Sequence, residues 1–122
     1  MTRYVSLEGF VVELETIGFH VRDLGLVHSA LERPATTLMG ADAYSTIDAK
    51  AAAQTESLAR NHPFMDGNKR SAWIALNHFL RINGYLLFAT QDDAFTYIQS
   101  VATGQFTLEE SAAWIEAHRR EI

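Results

Sequence analysis

The stretch Asn68–Asn83, "NKRSAWIALNHFLRIN", places the strongest constraint on the fold. Ala72, Trp73, Ala75, Leu76, Phe79, Leu80 and Ile82 recur at helical spacing and cover most of a helix circumference. A helix apolar nearly all round is a buried central one, so other elements must surround it. Gly84, just beyond its last turn, is a good left-handed terminator.

The remaining signals are also mostly helical. Ser6 can cap a first helix with apolar positions Phe10, Val11, Leu14 and Ile17, closed by Gly18. Asp23 can open a short second helix that Pro34 stops. Residues 37–46, "TLMGADAYST", show no clear period and read as a loop. "IDAKAAAQTESLARN", Ile47–Asn61, is an alanine-rich helix with high intrinsic propensity, and its small side chains permit close approach of a neighbour. Pro63 drives His62 out of helical geometry, which makes "HPFMD" a loop before a new helix near Gly67. "YLLF" fits either a short strand or an extended connection. Thr90 with Asp93 marks a fifth helix, and Thr107 with Glu110 forms a capping box for a sixth. The sum is all-α: one domain over residues 1–122, about six helices packed around Ala72–Asn83.

Composition narrows the function classes. The chain of 122 residues is 48% hydrophobic and 20% charged, which is ordinary for a globular domain. A formal net charge of -5 argues against direct nucleic-acid binding and against an anionic membrane surface. With no cysteine, disulfides and thiolate metal sites are excluded, and a reducing compartment suits the chain. The N-terminal "MTRYVSLEGFVVELE" has acidic residues inside its apolar stretch and does not read as a signal peptide. The apolar runs are too short to span a membrane, so a cytoplasmic protein is expected.

One segment breaks a local rule. Arg60–Arg70, "RNHPFMDGNKR", holds three of the ten Lys and Arg residues and one carboxylate, leaving it at +2 within a chain of -5. Lys69 and Arg70 fall where a helix begins, the end whose dipole disfavours cations. A bound anion resolves the conflict. Gly67 lets the backbone approach a ligand, unpaired N–H groups point at it, and Lys69 and Arg70 supply countercharge. Asp66 beside phosphates suits Mg²⁺, and His62 can take a proton from an attacking hydroxyl. Together they suggest phosphoryl or nucleotidyl transfer to a hydroxyl. Taken singly, each residue has a plainer role: Asp66 as an N-cap, Asn68 as a turn former, Arg60 as a helix-end cation.

"HPFMDGNKR" resembles the signature of the Fic/Doc superfamily, whose AMP-transferring members read HPFxxGNGR. Position 69 is Lys, as in the Doc (death-on-curing) toxin branch. "RDLGLVHSALERP" and "NGYLLFA…TGQFTLEESAAW" also look Doc-like, so the resemblance runs from about Val21 onward. It implies a Fic/Doc-like bundle with a buried central helix, His62 as general base, Asp66 on Mg²⁺, Gly67 and Asn68 as an anion hole, and Arg70 on phosphate. The branch lysine, here Lys69, accompanies reversed binding of ATP, so that the γ-phosphate is transferred. Arg60 matches an Arg two places before the motif His. The implied target is a threonine of elongation factor Tu, and the implied partner is a small antitoxin acting in trans, since no (S/T)xxxE(G/N) inhibitory helix is present. Gly67 departs from the Ala of some Doc toxins and matches the AMP-transferring relatives, which keeps Fic-type adenylyl transfer as the alternative. A non-catalytic binding module is the third reading.

The other histidines point to no zinc site: His20 and His28 lack a paired ligand, and His78 reads as a core histidine. His118 suits a helix C-terminus, and Trp73, Phe79 and Trp114 read as core.

Overall fold

Side-chain caps decide where the helices start. In the computed structural model, which describes residues 1–122, Ser6 accepts the Gly9 N–H and opens α1 (Leu7–Thr16). Asp23 accepts the Leu26 N–H at α2 (Leu24–Glu32), which runs into a 3-10 turn, Arg33–Ala35, holding Pro34. A hairpin follows, β1 (Thr37–Leu38) antiparallel to β2 (Ala41–Asp42). Thr46 caps α3 (Ile47–Asn61). α4 (Asn68–Ile82) begins at Gly67 with no side-chain cap. β3 (Tyr85–Leu87) leads to α5 (Gln91–Ala102), capped by Thr90, and to α6 (Leu108–His118) with its Thr107–Glu110 capping box. β4 (Arg119–Glu121) returns antiparallel to β3, Tyr85 facing Glu121, so the first three residues of "YLLF" form a strand. The architecture is a six-helix bundle with two small two-stranded ribbons.

The hairpin replaces the loop expected over residues 37–46. Its two turn residues, Met39 and Gly40, have φ of 53° and 83°, the mirror-image turn whose twist matches paired strands. Methionine seldom adopts such a φ, so the turn left no signal in the sequence.

A buried central helix is present, but it is α3 and not the Ala72–Asn83 segment. From Asp48 to Ala59 every residue is buried except the half-buried Ala49 and Glu56. α3 packs against α2, α4, α5 and α6. Its alanines admit neighbours on all sides, whereas α4 leaves Trp73, Ile74, Asn77 and His78 half-buried and Arg81 exposed. His78 is therefore not a core histidine; it sits at the surface, 4.0 Å from the Glu13 carboxylate. Ile17 lies past the end of α1 and is also exposed.

The polar groups buried with α3 are nearly all satisfied. Arg119 donates to both oxygens of Asp48 (2.6 and 3.1 Å), with its guanidinium 4.4 Å from the Tyr85 ring, which binds the last strand to the start of α3. Lys50 donates to the Pro34 carbonyl and to Asp42, anchoring the hairpin. Trp114 is stacked between Tyr97 (4.0 Å) and His118 (3.9 Å). The Tyr97 hydroxyl, which burial pushes up to about 12, shares a 2.7 Å hydrogen bond with Ser111.

Gln54 is the exception: neither its side-chain oxygen nor its nitrogen has a partner. An unsatisfied buried polar group costs about 1–3 kcal/mol. Gln54→Leu, similar in size and free of polar atoms, should stabilise the fold by about 1 kcal/mol, read as a higher denaturation midpoint in urea at unchanged slope.

Candidate active site at the start of helix α4

The loop between α3 and α4 is held from outside. α3 ends at Asn61, and His62 takes the left-handed conformation (φ 50°, ψ 55°). The Arg22 guanidinium donates to the His62 carbonyl. The Pro63 carbonyl accepts the N–H groups of Arg22 (2.8 Å) and Asp23 (3.0 Å), and the Met65 N–H donates to the His20 carbonyl (3.0 Å). Val21 and Phe64 form an isolated antiparallel bridge. Residues 20–23, the connector between α1 and α2, are thus laced along the signature loop. From the other side Asn68 closes it, accepting the Phe64 N–H (2.9 Å) and donating to the Phe64 carbonyl (3.1 Å).

Gly67 is required twice over. Its φ of 76° is unfavourable for any residue with a Cβ, and a Cβ there would lie 2.1 Å from Phe19 Cε1. The Asp66 carboxylate accepts the Gly67 N–H (2.8 Å), so Asp66 pins the turn instead of capping α4. With no side-chain cap, the first-turn N–H groups of α4 keep their capacity to bind an acceptor.

These residues line one cavity of about 550 Å³: His62, Met65, Asp66, Gly67, Asn68, Lys69 and Arg70 on one side, Gln99 and Ala102 of α5 and its C-cap Thr103 on the other, with Ala59 of α3. Lys69 Nζ donates to Gln99 Oε1 (2.9 Å), bridging α4 to α5. Arg70 is largely exposed and lies 4.0 Å from the Asp66 carboxylate. His62 is exposed, and so is Asp66.

Arg60, assigned to phosphate by the motif comparison, is not among the lining residues. Its guanidinium donates to the carbonyls of Val101 (2.8 Å) and Phe106 (3.2 Å) and pairs with Glu56 (3.2 Å). It ties the end of α3 to the α5–α6 turn, the helix-end role that is its plainer reading. Sequence reasoning passed over Phe19 and Gln99, and it gave Arg22 a structural role without a partner. Arg22 and Phe19 act across about 40 residues or more on backbone that their own neighbourhood does not reveal, and Gln99 carries no motif.

The donor set bears on Mg²⁺. No group of three or more His, Asp or Glu side chains converges as a metal cage. Asp66 offers a single carboxylate, one oxygen of which holds the Gly67 N–H. Mg²⁺ commonly binds through one or two carboxylates plus substrate phosphates and waters. The residues therefore fit an ion that arrives with a phosphate ligand, not a resident one.

The left-handed His62 sharpens the chemical argument. A residue with a Cβ pays about 1–2 kcal/mol in that conformation, and Gly does not. A chain optimised for stability alone would carry Gly at position 62. His62→Gly should therefore raise stability by about 0.5–1 kcal/mol, while Gly67→Ala should lower it by about 2 kcal/mol or more. Paired urea titrations read both, and equal signs would refute the local geometry.

Two comparisons with known proteins bear on the family of the chain. The sequence profile of the Fic/DOC family matches residues 6–80, more than half of the chain. The protein named Toxin Doc from Mycolicibacterium smegmatis is similar as well: 44% identical over 119 residues, covering 93% of this chain and 91% of that protein. On both grounds, and with its signature loop folded around one cavity, the chain belongs to the Fic/DOC family.

Proposed function

We propose that the protein is the toxin of a toxin–antitoxin pair and moves the γ-phosphate of ATP to a hydroxyl of a target protein. The proposed target is a threonine of elongation factor Tu in the cytoplasm, with arrest of translation as the result. The observation that supports this reading is that His62, Asp66, Lys69 and Arg70 line a single cavity at the uncapped start of α4. The likeness to the protein named Toxin Doc supports the biological setting.

In this mechanism the His62 imidazole takes the proton of the acceptor hydroxyl as its oxygen attacks the γ-phosphorus. The new O–P bond forms as the bond to the bridging oxygen breaks, and ADP leaves. Lys69 and Arg70 hold phosphate oxygens, and the first-turn N–H groups of α4 add acceptor-directed dipoles. Asp66 would hold Mg²⁺ entering with ATP, whose role is to neutralise charge on the phosphates. The small antitoxin acts in trans.

AMP transfer is the competing reading, and Gly67 is the residue that favours it. The left-handed φ and the Phe19 ring account for that glycine without reference to chemistry. Lys69 then remains as the discriminating residue, and it favours phosphate transfer.

Incubation with elongation factor Tu, Mg²⁺ and ATP labelled at the γ or the α position distinguishes the two. Intact-mass analysis should show a gain of one phosphate, with label arriving from the γ position alone. Label arriving only from the α position overturns the proposal. His62→Ala should slow transfer by about 10²–10⁴-fold, the usual range for a positioned general base. Lys69→Gly should weaken phosphate transfer and open a route to AMP transfer; unchanged rate and product would remove Lys69 from the mechanism.

A further inference from the structure

We propose that Phe19 is the positioning residue for the Arg70 guanidinium, setting nucleotide affinity from an element that carries no phosphate ligand. This rests on the reading of the α4 cavity as a nucleotide site.

The place of Phe19 is fixed by the core. At the end of α1 the Phe19 N–H donates to the Leu14 carbonyl (2.9 Å) and the Gly18 N–H to the Glu15 carbonyl (3.2 Å), with Gly18 at φ 104°. That is the pairing of a Schellman motif, which turns the residue after the glycine back onto the helix. Phe19 is 9% exposed and meets Phe64 edge-on at 6.1 Å, and Phe64 meets Phe10 at 6.3 Å. Three aromatic rings thus run from the interior to the Arg70 guanidinium.

Arg70 is the opposite case. Its side chain is 72% exposed, and its nearest carboxylate, Asp66, is 4.0 Å away. No hydrogen bond within the protein fixes it at shorter range, yet its guanidinium carbon lies 5.2 Å from the centre of the Phe19 ring. A cation over an aromatic face is held by the ring quadrupole, and guanidinium keeps its N–H edges available for an anion while it stacks. The same ring meets Gly67: a Cβ built there would stand 2.1 Å from Phe19 Cε1 and 3.1 Å from Arg70 Nη2. Ring, glycine and guanidinium converge at one point, where the absence of a Cβ at Gly67 leaves the ring room to reach the cation that follows the turn.

Titration calorimetry with MgATP on the full chain tests this as a double-mutant cycle: unsubstituted protein, Phe19→Leu, Arg70→Ala and the combination. Phe19→Leu should weaken MgATP binding by about 2–5-fold, the equivalent of an exposed cation–π contact. Phe19→Tyr, which keeps the ring, should bind as the unsubstituted protein does. In the Arg70→Ala background Phe19→Leu should weaken binding no further. Equal weakening in both backgrounds, or none in either, overturns the proposal. Should Phe19→Leu fail to fold, Phe19→Met, which keeps volume without the ring, takes its place in the cycle. Absence of MgATP binding by the unsubstituted protein overturns the nucleotide reading itself, and this inference with it, at the first titration.

Discussion

Alanines at 51, 52, 53 and 59 allow four helices to close on α3, and the rest of the molecule is arranged by that enclosure. A helix buried on all sides has no freedom to rotate or slide without opening voids in a close-packed interior. Its two ends are therefore fixed points. The first holds Asp48, to which Arg119 brings the last strand of the chain. The second delivers His62 at one defined place, where Pro63 forbids another turn and the connector between α1 and α2 receives the loop. The candidate site is built on the end of a rigid element, the arrangement that keeps its groups in register.

Much of this was legible in the sequence, because the legible parts are local. Ser6, Asp23, Thr90 and the Thr107–Glu110 box act within one helical turn, and each starts its helix where its spacing implies. The signature at 62–70 is contiguous, so its residues were bound to be neighbours. The identity of the central helix was not legible. A run of large apolar residues marks a buried face, but burial on every side depends on smallness, and α3 reads as polar because Asp48, Lys50, Gln54 and Thr55 lie among its alanines. Arg119 and the hairpin supply partners for Asp48 and Lys50 only in three dimensions. The partners of Arg60 were hidden for the same reason: the carbonyls of Val101 and Phe106 that engage it lie more than forty residues downstream.

The geometry also changes what the signature means. Gly67 looks like a mark of reaction type when motifs are compared, but here it is a demand of packing, set by Phe19 and a positive φ. His62 is the reverse. Its left-handed backbone would suit Gly, and its exposed side chain meets no packing demand that calls for an imidazole. One position in the loop is explained by the fold and the other is not, and a motif written as letters cannot distinguish them.

The cavity wall is divided between distant parts of the chain, and this has a consequence in time. Lys69 meets Gln99 thirty residues later, and Arg60 reaches Phe106 at a separation of 46. During synthesis the signature leaves the ribosome well before α5 and the turn that Arg60 fastens. A nascent chain therefore displays all the letters of its site before it possesses the site's far wall. Ordering of the cavity awaits α5 and the turn after it, so the emerging polypeptide is a poor version of the finished site until those residues have been made.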